Sequence, residues 1–224
     1  ERPILVITHS SHHASVLVRN LTSFADSVAE FPAWETLPHE RLSPNSDTIA
    51  HRIDTLLRMS EHRIIVAPIR SVIQPVLTNA ISLPLIELEL GKKIDFTYLV
   101  AQLQLRAYSR VDLVERRGDF AVRGGIIDIF PPIGDHPVRI EFFGDEIEEM
   151  RFFEVGDQRT FAPVIGTLRL IPCRELLIDD AVREKAKALR DFIEIREMCD
   201  KIADGIYVDG LESLSGVLSD SQEN

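Results

Sequence analysis

The segment from Pro137 to Phe143 carries the side chains best suited to recognition. With a period of two, Val138, Ile140 and Phe142 point to one side of a strand, and Arg139, Glu141 and Phe143 to the other. The first set suits a core. The second sets an aromatic ring about 13 Å along the strand from a guanidinium, the composition of a protein-interface hot spot. Two readings follow from the pattern alone. Either this face is open and meets a partner protein, or a helix over residues 95–107 covers it and the ring is interior.

Other constellations are weaker. Asp145, Glu146, Glu148 and Glu149 could supply an acid/base pair or a hard-metal site. Alternation places Glu146 and Glu148 on one face and Glu149 on the other, which is also how a solvated, charged strand edge reads. His9, His12 and His13 lack a cysteine or carboxylate nearby in sequence, so they read as a solvated helix start more readily than as zinc ligands. There is no Gly-x-x-x-x-Gly-Lys-Ser/Thr loop, and Arg117-Gly118 with Arg123-Gly124-Gly125 does not make a Gly-x-Gly-x-x-Gly turn after a parallel strand. No Gly-x-Ser-x-Gly elbow occurs, and neither cysteine has an adjacent histidine. No catalytic, cofactor-binding or metal-binding residue is therefore expected in this chain. Arg117-Gly118-Asp119 matches an integrin-binding tripeptide but suits a hairpin turn.

Composition narrows the classes. The chain has 224 residues with 25 basic and 36 acidic side chains, a net charge of −11. That balance argues against a broad phosphate-binding surface, since non-specific nucleic-acid affinity comes from clustered Lys and Arg. A hydrophobic fraction of 45% is ordinary for a core-forming chain. The apolar runs, such as Ile4 to Ile7, fall far short of the roughly 18 residues that a membrane span needs, and no basic segment precedes an apolar one. Cys173 and Cys199 are too few and too far apart for a disulfide scaffold or a Cys-x-x-Cys site. A cytoplasmic location without membrane contact is expected.

The elements that must position these residues divide the chain in three. Residues 1–86 alternate β-branched runs (Ile4 to Ile7, Val28 to Phe31, Ile64 to Ala67) with helical patterns that Ser10-Ser11 and Asp47 can cap. This βαβαβ rhythm predicts an open parallel sheet, with its first strand buried on both faces. Residues 87–172 read as a small α+β domain: an alternating run over Leu83 to Leu90, a helix from Asp95 to about Ala107, then strands over 111–116, 120–130, 137–143 and 146–153. Hairpin turns fit at Gly118-Asp119 and Gly144-Asp145. Residues 173–224 return to helix, with Asp179 or Asp180 capping one amphipathic segment to about Lys201. The tail from Ser213 shows no closing element, as in a chain cut within a domain.

Long runs then carry a family resemblance. Arg117 to Pro132, Pro137 to Met150, Asp157-Gln-Arg159, Trp34-Glu-Thr-Leu-Pro38 and Leu42-Ser-Pro44 closely resemble the N-terminal, UvrB-like module of bacterial transcription-repair coupling factors. UvrB itself, a damage- and DNA-binding helicase-like protein, is the alternative. It inserts a tyrosine-rich segment and a hairpin where Phe31 to Asp54 is compact and lacks tyrosine. The resemblance implies a fold class of α/β: a partial, helicase-like open parallel-sheet domain over 1–86, resumed over 173–224, plus a small α+β domain with an antiparallel sheet. Val6-Ile-Thr-His-Ser10 lies where the first segment after a P-loop would be. The implied role of the middle domain is docking to UvrA, the damage-recognition ATPase of nucleotide excision repair. By motif, Arg123, Arg139 and Phe143 are the implied protein-binding residues, two arginines bonding acidic partner groups around a ring that fills an apolar socket. The whole factor is implied to be an ATP- and magnesium-dependent DNA translocase. It binds RNA polymerase and double-stranded DNA, displaces stalled polymerase, and keeps its UvrA-binding face masked until the motor engages.

Overall fold

The structure is a computed structural model that describes residues 3–37 and 40–219. Pro38 of the Trp34 motif and the tail from Asp220 lie outside the described residues.

The first stretch forms the expected alternation: β1 (Ile4–Thr8), α1 (Ser11–Leu21), β2 (Val28–Glu30), α2 (Ser46–Leu57) and β3 (Ile64–Pro68). All pairings are parallel, and β3 lies between β1 and β2, with Ile65 opposite both Leu5 and Ala29. Helix α1 begins where the Ser10 hydroxyl accepts the His13 N–H. For α2 the cap is Asn45, whose side chain accepts the Asp47 N–H at 2.9 Å; Asp47 sits in the first turn, where its charge favours the helix dipole. The central strand β3 is almost wholly buried. β1 is not, contrary to expectation: Ile4, Leu5 and Ile7 are each more than half exposed, because β3 is its sole strand neighbour among the described residues. Two short helices follow, α3 (Ile69–Ile73) and α4 (Thr78–Ile81).

Leu83–Arg174 forms a compact unit of its own, and the described residues on either side of it form the other. The unit opens with β4 (Ile86–Leu88), shorter than the alternation over 83–90 suggested, and α5 (Phe96–Leu105), which Asp95 caps through the Tyr98 N–H. Among the described residues, β5 (Ser109–Arg110), β6 (Asp119–Arg123), β7 (Ile126–Ile129), β8 (Val138–Phe143), β9 (Glu146–Phe153) and β10 (Thr160–Pro163) make a six-stranded sheet in sequential order. It is antiparallel from β6 onward, while β5 pairs with β6 in parallel. β11 (Leu168–Leu170) pairs with β4.

The turns differ instructively from expectation. Gly144 has φ of +61° and joins β8 to β9 in a tight hairpin, as read from sequence. Gly118, at φ +88°, joins no hairpin, since the strands before and after it run parallel, and residues 111–116 form a loop. The expected strand over 120–130 instead folds back at Gly124, φ +60°, and Gly125.

Helix α5 covers the inner face of the sheet. Its Leu99 and Leu103 are buried with Phe120, Ile127, Ile129, Val138, Ile140 and Ile147, and Phe96 meets Phe142 edge to face at 5.2 Å. The reading in which this helix covers the Arg139 face is thereby excluded.

The last stretch was expected to hold one long helix from Asp179. It holds two, α6 (Asp180–Ala188) and α7 (Arg196–Ala203), before a short α8 (Ser215–Leu218). Asp179 caps α6 through the Val182 N–H at 2.9 Å. The break lets the apolar stripes of both halves share one core: Val182 and Ala186 from α6, Cys199 and Ile202 from α7, with Trp34 and Leu77 from the first stretch. A single straight helix cannot fold its two ends onto the same core.

What ties the two stretches together is electrostatic as well as apolar. Arg52 on α2 donates through Nε to Glu175 Oε1 at 2.6 Å and through Nη1 and Nη2 to the Pro32 and Pro75 carbonyls. Trp34 Nε1 donates to the same Glu175 oxygen at 2.7 Å. The guanidinium lies over the Phe31 and Trp34 rings. Burial pushes the Glu175 carboxyl upward, and Arg52 and the Trp34 N–H pull it back. Among the described residues no helix is long and apolar enough to cross a membrane.

Candidate protein-interaction face

The face of the six-stranded sheet turned away from α5 can be rebuilt from register. On β6, Ala121 and Arg123 alternate with the buried core residue Phe120 and the half-buried Val122. Arg123 pairs with Ile126, Ile126 with Glu141, and Glu141 with Glu149, so these four form a row across four strands. The adjacent row runs Ala121, Asp128, Arg139, Arg151. Phe143 closes β8 opposite Glu146 and is 80% exposed. Arg123, Arg139 and Phe143 thus share one face, but in three different states.

Arg123 is exposed. Its Nη2 donates to the Asp112 carbonyl at 2.7 Å, and among the described residues it forms no ion pair. Arg139 is largely enclosed. Its Nε and Nη2 donate to the two oxygens of Asp128 at 2.7 and 2.8 Å, its Nη1 donates to the Gln158 carbonyl at 3.3 Å, and its guanidinium carbon lies 4.9 Å from the Phe153 ring centre. Those bonds to Asp128 hold its ionisation above the ordinary guanidinium value. Asp128 is buried, as are Ala121, Phe130 and Phe153 in a small apolar cluster on this side of the sheet. Phe143 has no such support and projects from the hairpin.

The carboxylates of β9 do not follow strict alternation. The pairing register skips one residue of β9, so Glu148 is the extra residue of a bulge. Glu149 opposite Glu141 and Glu146 opposite Phe143 therefore lie on the same face, whereas strict alternation had separated them. The face is accordingly mixed in charge. Arg151 donates to Glu149 at 3.2 Å, and Lys93 lies 3.8 Å from Glu146. Nothing here resembles a close acid/base pair in an enclosed cleft.

His9 and His13 have ring centres 3.9 Å apart, the Ser10 hydroxyl lies 2.8 Å from His13 Nδ1, and both histidines are exposed, as is His12. Among the described residues no three His, Cys, Asp or Glu side chains converge as metal ligands. β1 leads into α1 through His9-Ser10. In the first unit a cleft of about 470 Å³ is lined mainly by apolar groups including Trp34, Leu42 and Ile73. Its Arg70 is held by the Glu35 and Thr36 carbonyls.

Reading by alternation did not single out Asp128, Phe153 or Gln158. A signal for Asp128 was available: a carboxylate within Ile126-Ile127-Asp128-Ile129 must face away from the core that Ile127 and Ile129 enter.

Comparison with known proteins follows the same boundary. Residues 86–175 match the model of the UvrB interaction domain family. The chain is 43% identical to the transcription-repair-coupling factor of Mycobacterium bovis over 236 aligned residues, covering 96% of this chain and 19% of that protein. It is 35% identical to the factor of the same name from Bacillus subtilis (strain 168), covering 84% of this chain and 16% of the relative. The corresponding figures for Escherichia coli (strain K12) are 30%, 87% and 17%. The chain thus spans about a fifth of the length of the curated relatives it matches.

Proposed function

We propose that this chain, homologous over nearly its whole length to the transcription-repair-coupling factors and carrying a UvrB interaction domain at residues 86–175, is a docking module for UvrA. The observation that carries the reading is the exposed Phe143 ring, on the sheet face turned away from α5 and on the same side as the exposed Arg123. Aromatic and arginine side chains on one surface are where interface binding energy concentrates. In this reading Phe143 enters an apolar socket, Arg123 bonds a partner carboxylate, and Arg139 completes the contact.

The wider activity is inferred in the same way. The whole factor would be a DNA translocase acting on stalled RNA polymerase, which this module links to excision repair. ATP and magnesium would power that motor. The module itself is a binding element and carries out no chemical step.

Binding of the purified chain to purified UvrA by calorimetry tests the proposal, with titration into damaged and undamaged duplex DNA at low salt as the second arm. Saturable one-to-one binding to UvrA, and weak binding to both duplexes, is expected. Absence of UvrA binding, together with tight duplex binding of steep salt dependence, would replace it with the UvrB-like DNA-binding reading.

A further inference from the structure

Resting on the UvrA-docking reading, we infer that Asp128 is a positioning residue of this face: it consumes the charge of Arg139, so that Arg139 offers a fixed hydrogen-bonding edge to a neutral acceptor while Arg123 alone meets a carboxylate.

Four contacts hold Arg139. Asp128 is directly opposite it in the β7–β8 register and accepts from both Nε and Nη2. A fork-on-fork pair of this kind fixes the plane of the guanidinium as well as its position. The Phe153 ring lies against one face of that plane. The Gln158 carbonyl takes a bond from Nη1, and Gln158 is itself pinned: it has φ of +60°, and its side-chain amide donates to the Val114 and Val155 carbonyls at 3.2 and 2.9 Å. A non-glycine residue in the left-handed region persists where its surroundings over-determine it. The bed under Arg139 is therefore built in detail, although only 20% of the Arg139 side chain is exposed.

Charge decides what this bed is for. With Asp128 buried and both its oxygens engaged, the pair is close to neutral to a partner approaching from outside. A carboxylate brought to Arg139 would meet Asp128 and Glu141 behind it. A backbone carbonyl or side-chain amide meets no such repulsion and can accept from the exposed edge. Arg123 bonds the Asp112 carbonyl and, among the described residues, forms no ion pair, so its charge is not taken up as that of Arg139 is. The same face thus divides its arginines between placement and charge.

Asp128→Asn, Arg139→Ala and the double variant, each measured for UvrA affinity and thermal melting, form the test. Asp128→Asn is expected to weaken binding at least about tenfold although it makes the face more positive, and to cost no more than about twofold further when Arg139 is already alanine. The salt dependence of binding should fall with Arg123→Ala and stay unchanged in the double variant, which removes both charges of the pair together. Should Asp128→Asn melt below the assay temperature, Gln158→Ala, which keeps the carboxylate and frees the carbonyl, takes its place with an expected loss of at least about threefold that also vanishes without Arg139. Wild-type affinity in the folded positioning variant, or losses that multiply in the double variant, overturns the inference. If Arg123→Ala and Phe143→Ala still weaken binding in that case, the docking reading stands; if the unaltered chain does not bind UvrA, the docking reading itself has failed.

Discussion

Arg52 in the first unit and Arg139 in the second grip a carboxylate in the same way, through Nε and a terminal nitrogen, and both lie over aromatic rings. They differ in what lies above them. Arg52 and Glu175 are sealed, at 0% and 1% exposure, and Trp34 and two backbone carbonyls take up the remaining capacity. Arg139 keeps an edge in water while its partner Asp128 is buried. The sealed pair joins two distant stretches of chain into one core. The half-open pair displays a side chain in a fixed pose. One chemical motif serves cohesion in the first unit and presentation in the second, and burial decides which.

Breaking the sealed pair should have the largest effect. Glu175→Ala leaves a buried guanidinium uncompensated, and such changes cost about 3–5 kcal/mol. Trp34 is the chain's one tryptophan and touches Glu175, so its fluorescence during urea unfolding reports on this site. The joint substitution Arg52→Met with Glu175→Leu should recover part of the loss, because an apolar pair avoids both desolvation penalties but leaves the Trp34 N–H and the Pro32 and Pro75 carbonyls without these partners. If Glu175→Ala alone unfolds at the wild-type urea concentration, the pair does not hold the stretches together.

The display side predicts the opposite signature. Phe143 is 80% exposed, so Phe143→Ala should leave the thermal melt unchanged while weakening UvrA binding by about 2 kcal/mol, roughly 30-fold. A fall in stability without a fall in affinity would assign Phe143 to the fold and undo the contrast between the two units.

How far these roles could be read in advance depends on whether they are local or set by neighbours. Alternation along β8 needs no knowledge of other strands, so it placed Arg139 and Phe143 together, and β9's bulge lies across the hairpin where it does not disturb that count. The same period applied to β9 went astray at Glu148, since an inserted residue leaves no mark in composition. Asp128 pairs with Arg139 only once the chain reverses at Gly124-Gly125, within a run over 120–130 that reads as one strand. Ile64 to Ala67 reads as buried and is largely so, yet the equally apolar Ile4 to Ile7 is exposed because burial of a strand depends on what lies beside it. Glu175 offered no signal at all: its partners Arg52 and Trp34 are more than a hundred residues away in sequence.

The smallest expected effect sharpens the comparison by separating cohesion that is local from cohesion that spans the chain. Asp179 lies only a few residues beyond Glu175, but its carboxylate caps α6 by accepting the Val182 N–H at 2.9 Å, a bond within one helical turn. Loss of such a cap costs about 1 kcal/mol. Asp179→Ala should therefore shift the Trp34 unfolding midpoint modestly, and Asp179→Asn or Asp179→Ser, which keep an acceptor at that place, should restore most of it. Glu175→Gln should behave differently. The amide retains an acceptor for Trp34 Nε1 but removes the negative charge that Arg52 requires, so it should remain far below wild type. Equal rescue at both positions would mean that the acceptor alone matters at Glu175, and that the sealed pair is a hydrogen-bonding site whose charge contributes little.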